Sequence, residues 1–203
     1  MKRLWVTAAL ASVLATASWA ADVTIHFDKP LQDWDGFGVN YVEASQTRDY
    51  DEWPQDYGGF STLSESEKQQ IIEMIFGADG LRPAIVKMFL DSLHEGMTEA
   101  DNDNDDPMKI NLDGYDHERT TKNMRYFVRE GLKKARGGGY DFIVIATMYG
   151  PQPWVTKQRI IRGRDLDPAR KNEAYEYLAS WAKYLIEKEG FPVKYISLHN
   201  EGD

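Results

Sequence analysis

Candidate strands and helices alternate along this chain of 203 residues, and the connections between them are of two very different lengths. The connections that leave candidate strands are long and aromatic, at residues 43–63, 91–115 and 147–166. The connections that leave candidate helices are only a few residues of Gly and Pro. A (β/α) barrel shows this asymmetry because its functional face is built on the carboxyl ends of its strands. We therefore expect an α/β protein with a parallel sheet and one elaborated end.

Apolar runs with β-branched and aromatic residues predict the strands. The third strand is apolar on both faces, which is typical of a parallel strand covered by helices on each side. A doubly wound open sheet would share this element order, but Gly36-Phe37-Gly38 lacks the third glycine and the following helix of a dinucleotide-binding turn. The predicted strands lie at residues 36–42, 83–90, 142–146 and 193–198, preceded by a short strand at 23–27.

Three helices are predicted between these strands. The first begins at a capping box formed by Ser64 and Glu67. The second is capped by Asp116 and ends at Gly137-Gly138-Gly139. The third opens with Asp167 as its cap and Pro168 in its first turn. Its predicted inner face consists of Tyr175, Leu178, Ala179, Ala182, Leu185 and Ile186.

The amino terminus has the form of a signal peptide at residues 1–20. Two basic residues precede an apolar run at 4–17, and the small-residue stretch Ser18-Trp19-Ala20 follows. The run is too short for a membrane span, and no later segment is apolar enough for one. We expect a mature domain at 21–203 that is secreted or periplasmic and makes no membrane contact.

The composition narrows the class of partner. The chain has no Cys, so its stability must come from a core rather than from disulfides. Its formal net charge of -9 argues against nucleic acid, which selects basic surfaces. A neutral polysaccharide or oligosaccharide fits this charge better.

Four segments are predicted to meet at the elaborated end of the sheet. They are Asn40-Tyr41, Asp91 with His94, the segment 148–157 that contains Tyr149, and His199-Asn200-Glu201. We expect Asn40 and Asp91 to be substrate-binding residues. Two prolines stiffen the Tyr149 loop around Trp154, whose ring could stack on a sugar or could equally be a core residue. A carboxylic acid after a strand, such as Glu201, suits proton transfer to a glycosidic oxygen.

The order of these motifs resembles clan A glycoside hydrolases, and most of all glycoside hydrolase family 30. The matching stretches are Trp34-Asp35-Gly36-Phe37-Gly38, Pro151-Gln152-Pro153-Trp154-Val155-Thr156-Lys157 and His199-Asn200-Glu201, and they span nearly the whole mature chain. The resemblance implies the amino-terminal half of a (β/α)8 TIM barrel, with about four parallel strands and three helices. It also implies that Glu201 is the general acid/base and that Asn200, Trp154 and Tyr149 line the sugar site.

A retaining enzyme of this kind needs a second carboxylate as nucleophile, about 5 to 5.5 Å from the first. The resemblance places that carboxylate after a seventh strand, whereas this sequence ends after the fourth. We therefore expect a truncated catalytic domain that is inactive by itself.

No cofactor or metal is expected. Asp101, Asp103 and Asp105 have the spacing of a calcium loop, but Asp106 and Leu112 occupy positions that need Gly and Glu. Zinc-binding His patterns are missing from the sequence. The alternative functions are a carbohydrate-binding protein on a degenerate barrel and a barrel enzyme of another class.

Overall fold

The computed structural model describes residues 23–29, 31–41, 59–90, 117–118, 121–160 and 163–200. The chain divides into two compact units, Met1–Trp34 and Asp35–Asp203. In the first unit the strand predicted at 23–27 is not formed, and a turn follows it instead. Val23, Ile25 and Phe27 are 81%, 68% and 89% exposed, so the alternating pattern has no apolar surface to pack against. The prediction of that strand was wrong.

The second unit contains a four-stranded parallel sheet and three helices, as the strand and helix patterns predict. The strands are β1 (Gly38–Tyr41), β2 (Ile85–Leu90), β3 (Ile143–Met148) and β4 (Val193–Ser197), and the helices are α1 (Glu65–Phe76), α2 (Lys122–Gly138) and α3 (Lys171–Glu187). Short 3-10 helices lie at Phe60–Thr62 and Pro153–Val155.

The strands lie in the sheet in chain order, β1-β2-β3-β4. Parallel crossovers are right-handed, so successive steps in one direction place all three connecting helices on the same face. Val86, Met88, Val144 and Ala146 on that face are completely buried in one core with the helices, whereas Ile145 on the other face is only partly buried. Among the residues that the structure describes, the helices pack on one side of β3, whereas its apolar sequence predicts helices on both sides. The order also excludes the doubly wound alternative.

The helix ends confirm one predicted cap and correct two others. At the start of α1, the Ser64 hydroxyl accepts from the Glu67 amide while the Glu67 side chain accepts from the Ser64 amide. The N-cap of α2 is Thr121, and Asp116 lies outside the described residues. The N-cap of α3 is Arg170, because the Asp167 carboxylate accepts from the Ala169 amide and holds a turn before the helix. Short local bonds of this kind compete with helix formation.

The buried surface of α3 differs from the predicted inner face. Tyr175 and Ile186 are 45% and 50% exposed, although Leu178, Ala182 and Leu185 are buried as predicted. The helix is buried over a wider arc because a second stripe packs around a buried histidine, His117. The side chains in contact with His117 are Tyr177, Ser180, Trp181 and Tyr184.

The sheet is curved, as a barrel wall must be. Three strand spacings of about 4.8 Å separate β1 from β4, so a flat sheet would place them about 14 Å apart. Asp35, just before β1, nevertheless accepts hydrogen bonds from Lys194 at 2.9 Å and from the Tyr195 hydroxyl on β4. The Asp35 carboxylate therefore links the segment before the edge strand β1 to the opposite edge strand, β4, across the open face of the sheet.

Strand β4 contains a bulge. Val193 pairs with Val144, but the next residue of β3, Ile145, pairs with Tyr195, so Lys194 is an extra residue. A bulge of this type inserts one residue into one strand and re-aims the side chains that follow. Tyr195 and Ser197 consequently face the side of the sheet that helices do not cover.

Candidate functional site

The candidate site lies on the open face of the sheet, which is the face opposite the helices. The strand register shows which residues lie side by side on that face. Residues paired across parallel strands project to the same side of the sheet. One row is Asn40, Lys87, Ile145 and Tyr195, and the next row toward the strand ends is Phe89, Thr147 and Ser197. This placement puts Asn40, a predicted substrate-binding residue, on the open face, where it is exposed.

A hydrogen bond joins this face to the residues that follow β4. The ammonium of Lys87 donates to Oδ1 of Asn200 at 2.7 Å and lies 5.0 Å from the centre of the Phe89 ring. The bond spans 113 residues of sequence and crosses from the second strand to the fourth. Asn200 is thereby held at the carboxyl edge of the sheet, where barrels place their chemistry.

Tyr149 lies beside the same cluster. Its amide donates to the carbonyl of Leu90 at 3.0 Å, which extends the pairing of β2 and β3 by one step. Its ring meets Phe89 edge-on, with 5.6 Å between the ring centres. The half-buried phenol therefore stands next to the ring that supports Lys87.

Trp154 has a different environment from the one that a stacking platform needs. Its side chain is 3% exposed and packs with Val155, Ala174 and Leu166 between the β3 loop and α3. A sugar-binding tryptophan presents one open ring face. The burial favours the second interpretation of this residue, a core tryptophan.

Two of the predicted site residues, Glu201 and Asp91, lie outside the described residues. The structure thus brings Asn40, Tyr149 and Asn200 to one end of one sheet, and Glu201 follows Asn200 directly in sequence. Sequence reasoning did not assign Lys87 to the site. In the sequence, Lys87 stands out as a charged residue within an otherwise apolar strand. The strand register places it on the same face as Asn40.

Buried polar groups also mark the end of β3. In the part of the chain that the structure describes, the Thr147 hydroxyl, the Gln152 side-chain amide and the Trp154 indole nitrogen are buried without a hydrogen-bond partner. Buried polar atoms normally have one. The β3 loop therefore retains hydrogen-bonding capacity close to the strand ends.

Within the described ranges, no group of three or more acidic or histidine side chains is placed to hold a metal ion. The acidic stretch at 101–106 lies outside those ranges. None of the helices in the described part of the chain is long and apolar enough to span a bilayer.

Comparisons with known proteins support the fold. No family model matches the chain, and no curated protein matches its sequence. The crystal structure of SrfJ from Salmonella typhimurium superposes with a TM-score of 0.51 at 18% sequence identity. The match covers 84% of this chain and 35% of the SrfJ chain, so this sequence spans about a third of that structure. The chain has the fold of half a (β/α) barrel, with four parallel strands and three helices.

Proposed function

We propose that this chain carries the acid/base part of the active site of a retaining glycoside hydrolase that cleaves O-glycosidic bonds in a polysaccharide or oligosaccharide. The observation that carries the proposal is the position of Asn200, held by Lys87 at the carboxyl edge of a half barrel, with Glu201 as the next residue. The motif resemblance to clan A glycoside hydrolases supports the same assignment. The protein would act as an exported enzyme, in line with the signal-like residues 1–20.

In this proposal Glu201 acts twice. Its protonated carboxyl group donates to the leaving glycosidic oxygen while a second carboxylate attacks the anomeric carbon, and a covalent glycosyl-enzyme results. The Glu201 carboxylate then accepts a proton from the water that releases the sugar. Asn200 binds a sugar hydroxyl beside the cleaved bond. The second carboxylate belongs to barrel strands beyond the four of this chain.

The test uses a protein in which this chain is continued by the rest of its barrel. Glu201→Gln removes the proton donor but keeps the shape of the side chain. We expect hydrolysis of an aryl glycoside with a poor leaving group to fall by about 10²- to 10⁴-fold, the usual contribution of general acid catalysis. A good leaving group needs less protonation, so its cleavage should fall less.

Glu187→Gln is the matched control, because Glu187 is a surface glutamate on α3 that forms an ion pair with Lys183, one turn earlier on the same helix. Its activity should equal that of the unmodified protein. Undiminished hydrolysis by Glu201→Gln would refute the proposal. Saccharide binding without turnover in the unmodified complete protein would favour a carbohydrate-binding function.

A further inference from the structure

The contact between Lys87 and Asn200 fixes more than the position of the asparagine. A lysine ammonium has three donors and no acceptor, so only the oxygen of the asparagine amide can face it. The 2.7 Å bond from Lys87 therefore sets the orientation of the Asn200 amide as well as its place. The nitrogen of that amide, with its two N–H donors, is directed away from Lys87.

The surroundings of Lys87 strengthen this bond. The ammonium is partly buried, beside the Phe89 ring and in the same row as Ile145. Hydrogen bonds from a charged donor are stronger than neutral ones, and a low local dielectric strengthens them further. The ring face limits where the ammonium can move, since a cation is attracted to it.

We propose that Lys87 is a positioning residue that orients the Asn200 side chain so that its NH₂ group is presented to the ligand. The amide nitrogen of Asn200 is then turned toward the ligand and donates to an atom that offers a lone pair, such as a sugar hydroxyl oxygen. This inference rests on the proposed function for the identity of the ligand. The orientation of the amide can be tested without it.

The first experiment follows the Asn200 side-chain amide by ¹H–¹⁵N NMR in the full 203-residue chain, with its signals assigned by their loss in Asn200→Ala. Lys87→Met keeps the length of the side chain and removes its charge, and we expect the Asn200 amide pair to shift and broaden. Lys194→Met is the control, because Lys194 bonds to Asp35 instead. It should leave the Asn200 signals in place.

A second variant, changed at Asn200 and observed at Lys87, tests the same contact in case Lys87→Met fails to fold. Asn200→Ala changes a half-buried residue after the last strand, and it should move the ¹³Cε signal of Lys87. Asn200 signals that are insensitive to Lys87→Met, or a Lys87 signal that is insensitive to Asn200→Ala, would overturn the inference.

The second experiment measures hydrolysis in the complete barrel protein. Loss of a charged hydrogen bond predicts that Lys87→Met lowers kcat/KM by about 10- to 100-fold. If Lys87 acts through Asn200, the double variant should be no worse than Asn200→Ala alone, because interacting residues are not additive. Additive losses would contradict positioning. An unmodified protein without hydrolase activity would refute the proposed function, while the NMR result would still decide the role of Lys87.

Discussion

Protonation of His117 should control the stability of this protein in weak acid. The imidazole is 1% exposed among the rings of Tyr177, Trp181 and Tyr184, and its Nε2 lies 2.9 Å from the Ser180 hydroxyl. Ser180 donates its own proton to the Tyr177 carbonyl at 2.7 Å, so its oxygen accepts from the histidine. Burial lowers the pKa of His117 from 6.5 to about 3.

The sign and size of the effect follow from linkage. The unfolded chain binds a proton at His117 near pH 6.5, whereas the folded chain resists protonation down to about pH 3. Stability is therefore complete above pH 6.5 and falls as the pH drops through this window. A difference of 3.5 pKa units amounts to about 5 kcal/mol, and about 2 kcal/mol is already lost at pH 5. A single domain has about 5–15 kcal/mol in total, so this loss is large.

The assay is urea unfolding of the unmodified chain and of His117→Phe between pH 7.5 and 4. The variant keeps a ring in the aromatic cluster but loses the bond to Ser180, so at pH 7.5 it should be about 1 kcal/mol less stable. Because it does not titrate, its stability should exceed that of the unmodified chain below about pH 6. His199→Gln, a change at an exposed histidine, is the control. Parallel stability curves that never cross would refute the reasoning.

Three further outcomes are expected. Gly131→Ala in α2 should lower stability by about 1–2 kcal/mol, because the new Cβ would lie 2.9 Å from the buried Phe76 ring; Gly137→Ala on the same helix, with open space around it, should be neutral or stabilising. Glu189→Gln should destabilise the fold by about 3 kcal/mol in thermal unfolding at pH 7. Burial raises the pKa of Glu189, but the hydrogen bonds from Arg125 and Arg129 outweigh it and lower the pKa overall. The neutral glutamine would therefore leave the two guanidinium groups without their carboxylate partner. Purified residues 21–203 should show no hydrolysis of aryl glycosides, and measurable turnover would contradict the need for a second carboxylate.

The order of elements was predictable because each β/α unit carries its own local signals. The alternation of strands and helices, the capping box at Ser64 and the glycines at the end of α2 are all read within a few residues, and the structure confirms them. Helix starts were harder to predict. Asp167 has the composition of a cap, but its side chain closes a turn three residues before the N-cap Arg170.

The errors at the surface and in the site have a common cause in long-range packing. Tyr175 and Ile186 fit a helical stripe, yet the buried arc of α3 is set by His117, which lies more than 50 residues earlier in the chain. Likewise, nothing near Lys87 in sequence indicates that it bonds to Asn200. Contacts of this kind depend on which strands become neighbours and in which register, and only the assembled sheet provides that information.

The extra residue in β4 constrains the number of residues in this strand more than the type of residue at position 194. Because Lys194 shifts the pairing by one position, the side chains after it fall on the opposite face from the one they would occupy in a regular strand. Many residue types could stand at 194 without changing the face on which the following side chains lie. Removing one residue there would turn Tyr195 and Ser197 toward the helices. The stretch leading to Asn200 is therefore tolerant of substitution at this point and intolerant of insertion or deletion.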